Sequence, residues 1–220
     1  MEALADAVFA LVLALLFLQS TPPTSFRELA AALKALVPFA VTFTLLAMVW
    51  VDHHRYFRRY GLRDKATFYG NLVLLALVLF YAYPLKFLFT FLCVGVLGPI
   101  GELSAESMSV GMRELGSTNL MLVYSTGFGA IYTTFTLLYR HALRRADELG
   151  LDAVERHMTV TSIAACLVLV GTALLSVLLA LLGSVAGSGF VYFVIGPAMT
   201  VLHWRRGNAQ ERLVQQRGAG

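Results

Sequence analysis

Residues 36–57 read LVPFAVTFTLLAMVWVDHHRYF. The run from Leu36 to Val51 carries no charge, and then Asp52, His53, His54 and Arg55 arrive together. An uncharged run of this length suits hydrocarbon. Ionisable groups where such a helix meets water are costly to place idly, so the cluster asks for partners. One candidate is Asp6, an acid close to the start of the first apolar helix. An Asp–His contact there would respond to pH in the physiological range. The plainer role for Asp6 is to cap a helix N-terminus and complement its dipole.

The rest of the chain fits a membrane protein. Of its 220 residues, 58% are hydrophobic and 14% charged, and the mean hydropathy is +0.73. A soluble domain of this size has no use for so much apolar surface. The net charge of +4 belongs to cytoplasmic loops rather than to nucleic-acid binding. Cys93 and Cys166 both lie in apolar stretches, where they serve as small packing residues and not as a disulfide. The first apolar segment follows Glu2 and Asp6 with no Lys or Arg, unlike a secretory leader.

A helix needs about 20 apolar residues to cross the ~30 Å hydrocarbon layer. The chain is therefore expected to be all-α, with six transmembrane helices at about 3–19, 26–60, 66–97, 118–143, 159–182 and 189–204. Thr21-Pro22-Pro23-Thr24 ends the first, Gly61 closes the second, and Pro84 kinks the third. Gly98-Pro99 and the polar stretch to Ser117 read as an exposed loop, and Gly183 to Ser188 as a tight turn. Of the 17 Lys and Arg, 13 fall between segments two and three, between four and five, or after six. The positive-inside rule then places both termini in the cytoplasm. On the other side Glu102, Glu106 and Glu114 outnumber Arg113. Such acids could concentrate cations at a pore mouth or simply keep a loop soluble.

Leu4, Val8, Leu11, Leu15 and Leu18 recur at spacings of four and three. That is the seam of a packed helix bundle or, around an oligomer axis, a ring that gates by dewetting. His53 and His54 point about 100° apart on a helix, so they do not share one metal. His157 and His203 stand near helix ends, and a bis-His haem site needs histidines deep in facing helices. No cofactor or metal is expected. Lys86 snorkels, Asn71 can bond across helices, and Trp50, Tyr81, Tyr83 and Trp204 suit an interfacial belt. There is no nucleophile elbow, no HExxH, no P-loop and no intramembrane carboxylate pair, so an enzyme is not expected.

These pieces resemble the transmembrane-protein-175 potassium channel family. Its prokaryotic members open with an Arg-x-x-x-Phe-Ser-Asp motif that runs into a short first helix, and Leu4-Ala5-Asp6-Ala7-Val8-Phe9-Ala10 looks like the end of it. The family's second helix ends in Trp-x-x-His-His-Arg-x-Phe, which Trp50-Val51-Asp52-His53-His54-Arg55-Tyr56-Phe57 closely matches. Asn71 and Tyr83-Pro84 are similar to features of its third helix. The likeness is strong over about residues 4–90; beyond that only helix count and orientation agree.

The resemblance implies a homotetramer in the cell membrane, surrounded by lipid, with four first helices around a pore for monovalent cations. It implies a hydrophobic constriction at Leu11 with further layers at Leu15 and Leu18. It also implies a cytoplasmic network of Asp6, Trp50, Asp52, His53, His54 and Arg55 that supports the first helix. The chain departs from the pattern in three places. Leu4 and Ala5 replace the motif Phe and Ser, the motif Arg would precede Met1, and Ala14 stands where some members carry a hydroxyl. Weak selection of potassium over sodium follows if that hydroxyl matters. The expected function is a potassium-permeable cation channel. The rivals are a secondary or proton-coupled transporter, which would want ionisable or unwound elements near the midplane, and a non-conducting membrane scaffold.

Overall fold

The computed structural model describes residues 2–18, 24–97 and 105–218, and every element among them is helical. Helix α1 (Glu2–Leu18) is followed by α2 (Phe26–Tyr60) and α3 (Lys65–Leu97). Then come α4 (Ala105–Leu115), α5 (Thr118–Arg144), α6 (Ala153–Leu181) and α7 (Val185–Phe190). A 3₁₀ turn at Val191–Val194 leads into α8 (Ile195–Gly218).

Local chemistry sets the boundaries. Ser25 caps α2 by accepting from the Glu28 N–H at 3.2 Å. Gly61 ends α2 in the left-handed region at φ 57°, and its N–H reaches Phe57 O at 3.0 Å. Asp152 and Glu155 form a reciprocal capping box at the start of α6. That box starts α6 six residues before the Thr159 expected from apolarity alone, because Glu155, Arg156 and His157 disguise the first turns. The stretch before Ser117 is not a loop throughout. It contains α4, which lies on α3, and Gly111 comes so close to Phe91 that a Cβ there would sit 2.1 Å from the ring. The last segment is also not one helix from Gly189 to Trp204. It begins at Val185, passes through the 3₁₀ turn, and continues as helix well past Trp204.

Pro84 sits inside α3 without breaking it. One turn after it, the Leu88 N–H donates to the Tyr124 hydroxyl of α5 at 2.9 Å, which ties the two helices together.

The helices pack as two groups. Helix α1 lies on α2 and α3, while α6 packs most extensively on α5 and also holds α7 and α8. The groups join where α3 meets α5. Close approach there depends on missing side chains: a Cβ on Gly70 would come within 2.7 Å of Leu138, and one on Gly127 within 2.5 Å of Tyr81. One end of the bundle gathers the basic junctions. Tyr60 of α2 bonds to Thr159 of α6 at 2.8 Å, and His157 of α6 donates to the Arg206 carbonyl of α8 at 3.1 Å. Asp6 near the start of α1 lies at that same end, bonded to Trp50.

Five stretches are long and apolar enough to cross a membrane: 28–60, 65–94, 118–144, 153–181 and 185–207. Helix α1, with 17 residues, spans only roughly 25 Å at 1.5 Å per residue. The protein is an integral membrane protein of helical type.

Candidate functional site at helix α1 and the end of helix α2

Helix α1 has two unlike faces. Ala5, Phe9 and Val12 are 0%, 3% and 1% exposed, at the four-and-three spacing of a helix stripe set into the core. On the other side Leu4 and Leu11 are 51% and 53% exposed, and Ala7, Ala10 and Ala14 are exposed with them. The leucine stripe expected as one surface is therefore divided. Val8 is half-buried and packs against the core, while Leu4 and Leu11 face away from the subunit. The side chains of Leu15 and Leu18 lie outside the described residues. The outward face, as far as Ala14, carries no polar side chain except at its edge, where Asp6 stands.

The Asp-His-His-Arg tract is divided in the same way, because helical spacing distributes it over two sides of α2. Trp50, His53, His54 and Phe57 share the side toward α1 and α3. The Trp50 indole N–H donates to Asp6 Oδ1 at 2.9 Å, and the His54 ring stacks on the indole at 5.5 Å. His53 is 2% exposed, and its Nε2 lies 2.7 Å from Asn71 Oδ1 of α3. Its ring sits between Phe9 of α1 at 6.0 Å and Phe57 at 4.5 Å. Asp6, expected to meet a histidine, accepts its hydrogen bond from the Trp50 indole. The carboxylate is near the aromatic end of α2, but the indole reaches it first. The arrangement is a clamp: one polar bond at the start of α1 and one aromatic contact a turn later.

Asp52 and Arg55 take no part in that clamp. They share the opposite side of α2 with Tyr56 and Arg59, and their charged groups are 3.9 Å apart. Together with Arg59 they line a cavity of about 480 Å³ toward α5, α6 and α8. The six-residue network expected from the motif is in fact two sites, back to back.

A third polar cluster escaped the sequence reading. Asp64, in the turn before α3, accepts from the Thr67 hydroxyl and lies 2.8 Å from His141 Nε2 of α5, with Arg145 at 3.9 Å. Partial burial pushes the Asp64 carboxyl up. The hydrogen bonds from Thr67 and His141, with the charges of His141 and Arg145, outweigh that and hold it below the usual carboxylate range. The Asp64-Lys65-Ala66-Thr67 string before an apolar run does carry a helix-start signal. Its partners, about eighty residues away, leave no local trace. Cys93 and Cys166 are free thiols, half-buried and buried. Among the described residues no group of three or more His, Cys, Asp or Glu side chains is arranged to hold a metal.

A potassium channel of Marivirga tractuosa is 35% identical over 221 residues, covering 97% of this chain and 90% of its own length. A family profile described as endosomal/lysosomal potassium channel TMEM175 matches residues 1–84. The chain belongs to the TMEM175 family. A potassium channel of Chamaesiphon minutus is 32% identical over 164 residues, or 71% of this chain and 70% of that protein. The fold agrees with a solved TMEM175 structure, a threonine-to-alanine variant of the potassium channel MtTMEM175 in complex with a nanobody–MBP fusion protein. The TM-score is 0.81 at 36% identity, covering 94% of this chain and 92% of that one. The TMEM175 relatives are channels, not enzymes.

Proposed function

We propose that this protein is a potassium-permeable channel of the cell membrane, built as a homotetramer with α1 around the central axis and Leu11 at its narrowest point. The observation that carries this reading is the outward face of α1. Leu4 and Leu11 stand exposed on a helix that is firmly seated along its other side. In a membrane such a face is covered by lipid or by further copies of the chain, and the family resemblance at this helix favours the copies. A ring of leucines resists hydration and gates by dewetting. The names of the relatives supply potassium as the permeant ion.

Six crossings follow if α1 spans the membrane along with the five longer stretches. The clustering of the basic junctions at one end supports a cytoplasmic location for that end and for both termini. Domain organisation is then one six-helix channel unit over residues 1–220. Ala14 is exposed on the same face as Leu11 and offers no hydroxyl, which supports weak discrimination between potassium and sodium. The Asp6–Trp50–His54 and Phe9–His53–Asn71 contacts hold α1 at a set tilt against α2 and α3.

The test is ion flux from liposomes containing the purified protein, under a potassium and then a sodium gradient, with Leu11→Asn beside the unaltered chain. Flux that rises in the variant supports a constriction at Leu11. Flux that is present but identical in both places the pore elsewhere. Absence of flux from both removes the channel reading for this chain.

A further inference from the structure

The cavity on the far side of α2 is the strongest feature that the channel reading leaves unused. It lies between the last turns of α2 and the faces of α5, α6 and α8. Its volume of about 480 Å³ falls within the roughly 300–1,000 Å³ of small-molecule sites. The deeper wall is apolar and aromatic, with Phe135, Cys166 and Leu169. The mouth is charged, with Asp52, Arg55 and Arg59. Tyr132 and Tyr139, both buried, line it too, as does His203.

The charged mouth is underused by the protein itself. A guanidinium has five N–H donors. Arg59 donates one hydrogen bond, at 3.0 Å to the Met158 thioether, and its guanidinium carbon lies 5.8 Å from the Tyr60 ring. A thioether is a weak acceptor, so most of the fork lacks a strong oxyanion. Arg55, one helical turn earlier, reaches Asp52 only at 3.9 Å. Two guanidiniums one turn apart suit a phosphate, which they bind with charge-assisted bonds. A purely anionic ligand would nevertheless meet the Asp52 carboxylate at the same mouth. A ligand carrying both charges answers both, with its ammonium on Asp52 and against the faces of Tyr132 and Tyr139.

We propose that this cavity holds the headgroup of a zwitterionic aminophospholipid, its phosphate on Arg55 and Arg59 and its primary ammonium on Asp52. The apolar depth accepts the glycerol and the start of an acyl chain. Basic pockets between transmembrane helices at the cytoplasmic surface are where lipid headgroups dock, and the site rests on the reading that this end of the bundle lies at that surface. The consequence is a lipid wedge between α2, which bears the α1 clamp on its opposite side, and the α6–α8 group.

Native mass spectrometry of the full-length protein in detergent tests this without any current being measured, so a non-conducting protein can still pass. The probes are phosphatidylethanolamine, phosphatidylglycerol and soluble phosphoethanolamine. The expected result is preferential retention of phosphatidylethanolamine. Asp52→Asn should reduce that retention about tenfold, the scale of one charge-assisted hydrogen bond, and raise that of phosphatidylglycerol, whose phosphate no longer meets a carboxylate. Arg59→Gln should weaken both lipids, and Arg59→Lys should weaken them less. Arg58→Gln, an exposed neighbour outside the cavity, should weaken neither. Melting temperatures close to that of the unaltered chain show that the variants are folded. Equal retention of the two lipids together with indifference to Asp52→Asn overturns the proposal. So does an equal loss from Arg58→Gln, which would mean surface charge alone. Full competition by soluble phosphoethanolamine assigns the site to a soluble ligand and rejects the lipid. No retained lipid in any arm rejects it as well, leaving the cavity to a neighbouring copy.

Discussion

Each group of helices has a polar cluster of its own, and the two clusters lie at opposite ends. In the first, His53, Asn71, Trp50 and Asp6 meet at the basic end, and their bonds secure one short helix. In the second, Tyr192 donates to Ser125, Ser125 lies 2.7 Å from Ser176, and Ser176 donates to the Ser188 carbonyl, all near the turn between α6 and α7. The Ser125 and Ser176 hydroxyls each give and receive, so the bonds reinforce one another. The first arrangement leaves one face of α1 bare, the face proposed to line the pore. The second locks α5, α6, α7 and the 3₁₀ turn together. The family profile ends at residue 84, within the first group, where the motif lies.

The largest effect that would break this comparison is on flux. Leu11→Asn should raise it markedly, since each ~1.4 kcal/mol taken from a barrier is about tenfold in rate. Gly127→Leu, on the second group, should leave ion preference alone while forcing a side chain against Tyr81. An overpacking cost of about 1–3 kcal/mol would appear as a lower melting temperature in detergent. If it changes the potassium-to-sodium ratio instead, the scaffold assignment is wrong.

Asn71→Leu sharpens the first half of the contrast. It removes the acceptor from buried His53, at about 1–3 kcal/mol, and should lower the melting temperature and change flux together, because His53 also meets Phe9 of α1. Ser176→Ala is its counterpart and should cost about 0.6 kcal/mol, the average for such bonds in membranes, with flux unaltered. A flux change equal to that of Asn71→Leu would erase the distinction.

The smallest effect concerns pH at the junction between the groups. Asp64 is held below its ordinary range in the folded protein, so its stabilisation is present above the unfolded value of about 4. It is lost as pH falls through the lowered folded value. Asp64→Asn should therefore reduce the melting temperature near neutral pH by the equivalent of about 1 kcal/mol or less. Melting curves recorded on both sides of that range should converge in acid. A difference that persists in acid would mean that the carboxylate charge is not what matters.

Much of the second half was hard to read because its signals are single residues. Ser125, Ser176 and Ser188 each look like an ordinary small polar residue in a helix or turn, and their chain exists only after α5, α6 and α7 meet. Helix α4 was hidden by the polar composition of residues 105–115, although Gly111 needed only Phe91 beside it to make sense. The motif at Trp50–Phe57 is plain in the sequence, and its short span suggests one network. The helical period already separates Trp50, His53, His54 and Phe57 from Asp52, Arg55, Tyr56 and Arg59. Which side met which neighbour was not in the period.

Composition, uncharged runs and the distribution of arginines determine by themselves that this is a helical membrane protein with its basic junctions on one side. Those are properties of solvent transfer, and each residue contributes them wherever it packs. The tertiary structure alone decided that Asp6 takes the Trp50 indole, that His53 takes Asn71, that Asp64 takes His141, and that Leu11 faces outward while Val12 is buried. Such pairings depend on distances between helices far apart in the chain, and a hydrogen bond a few ångströms long is set by packing that no local pattern encodes.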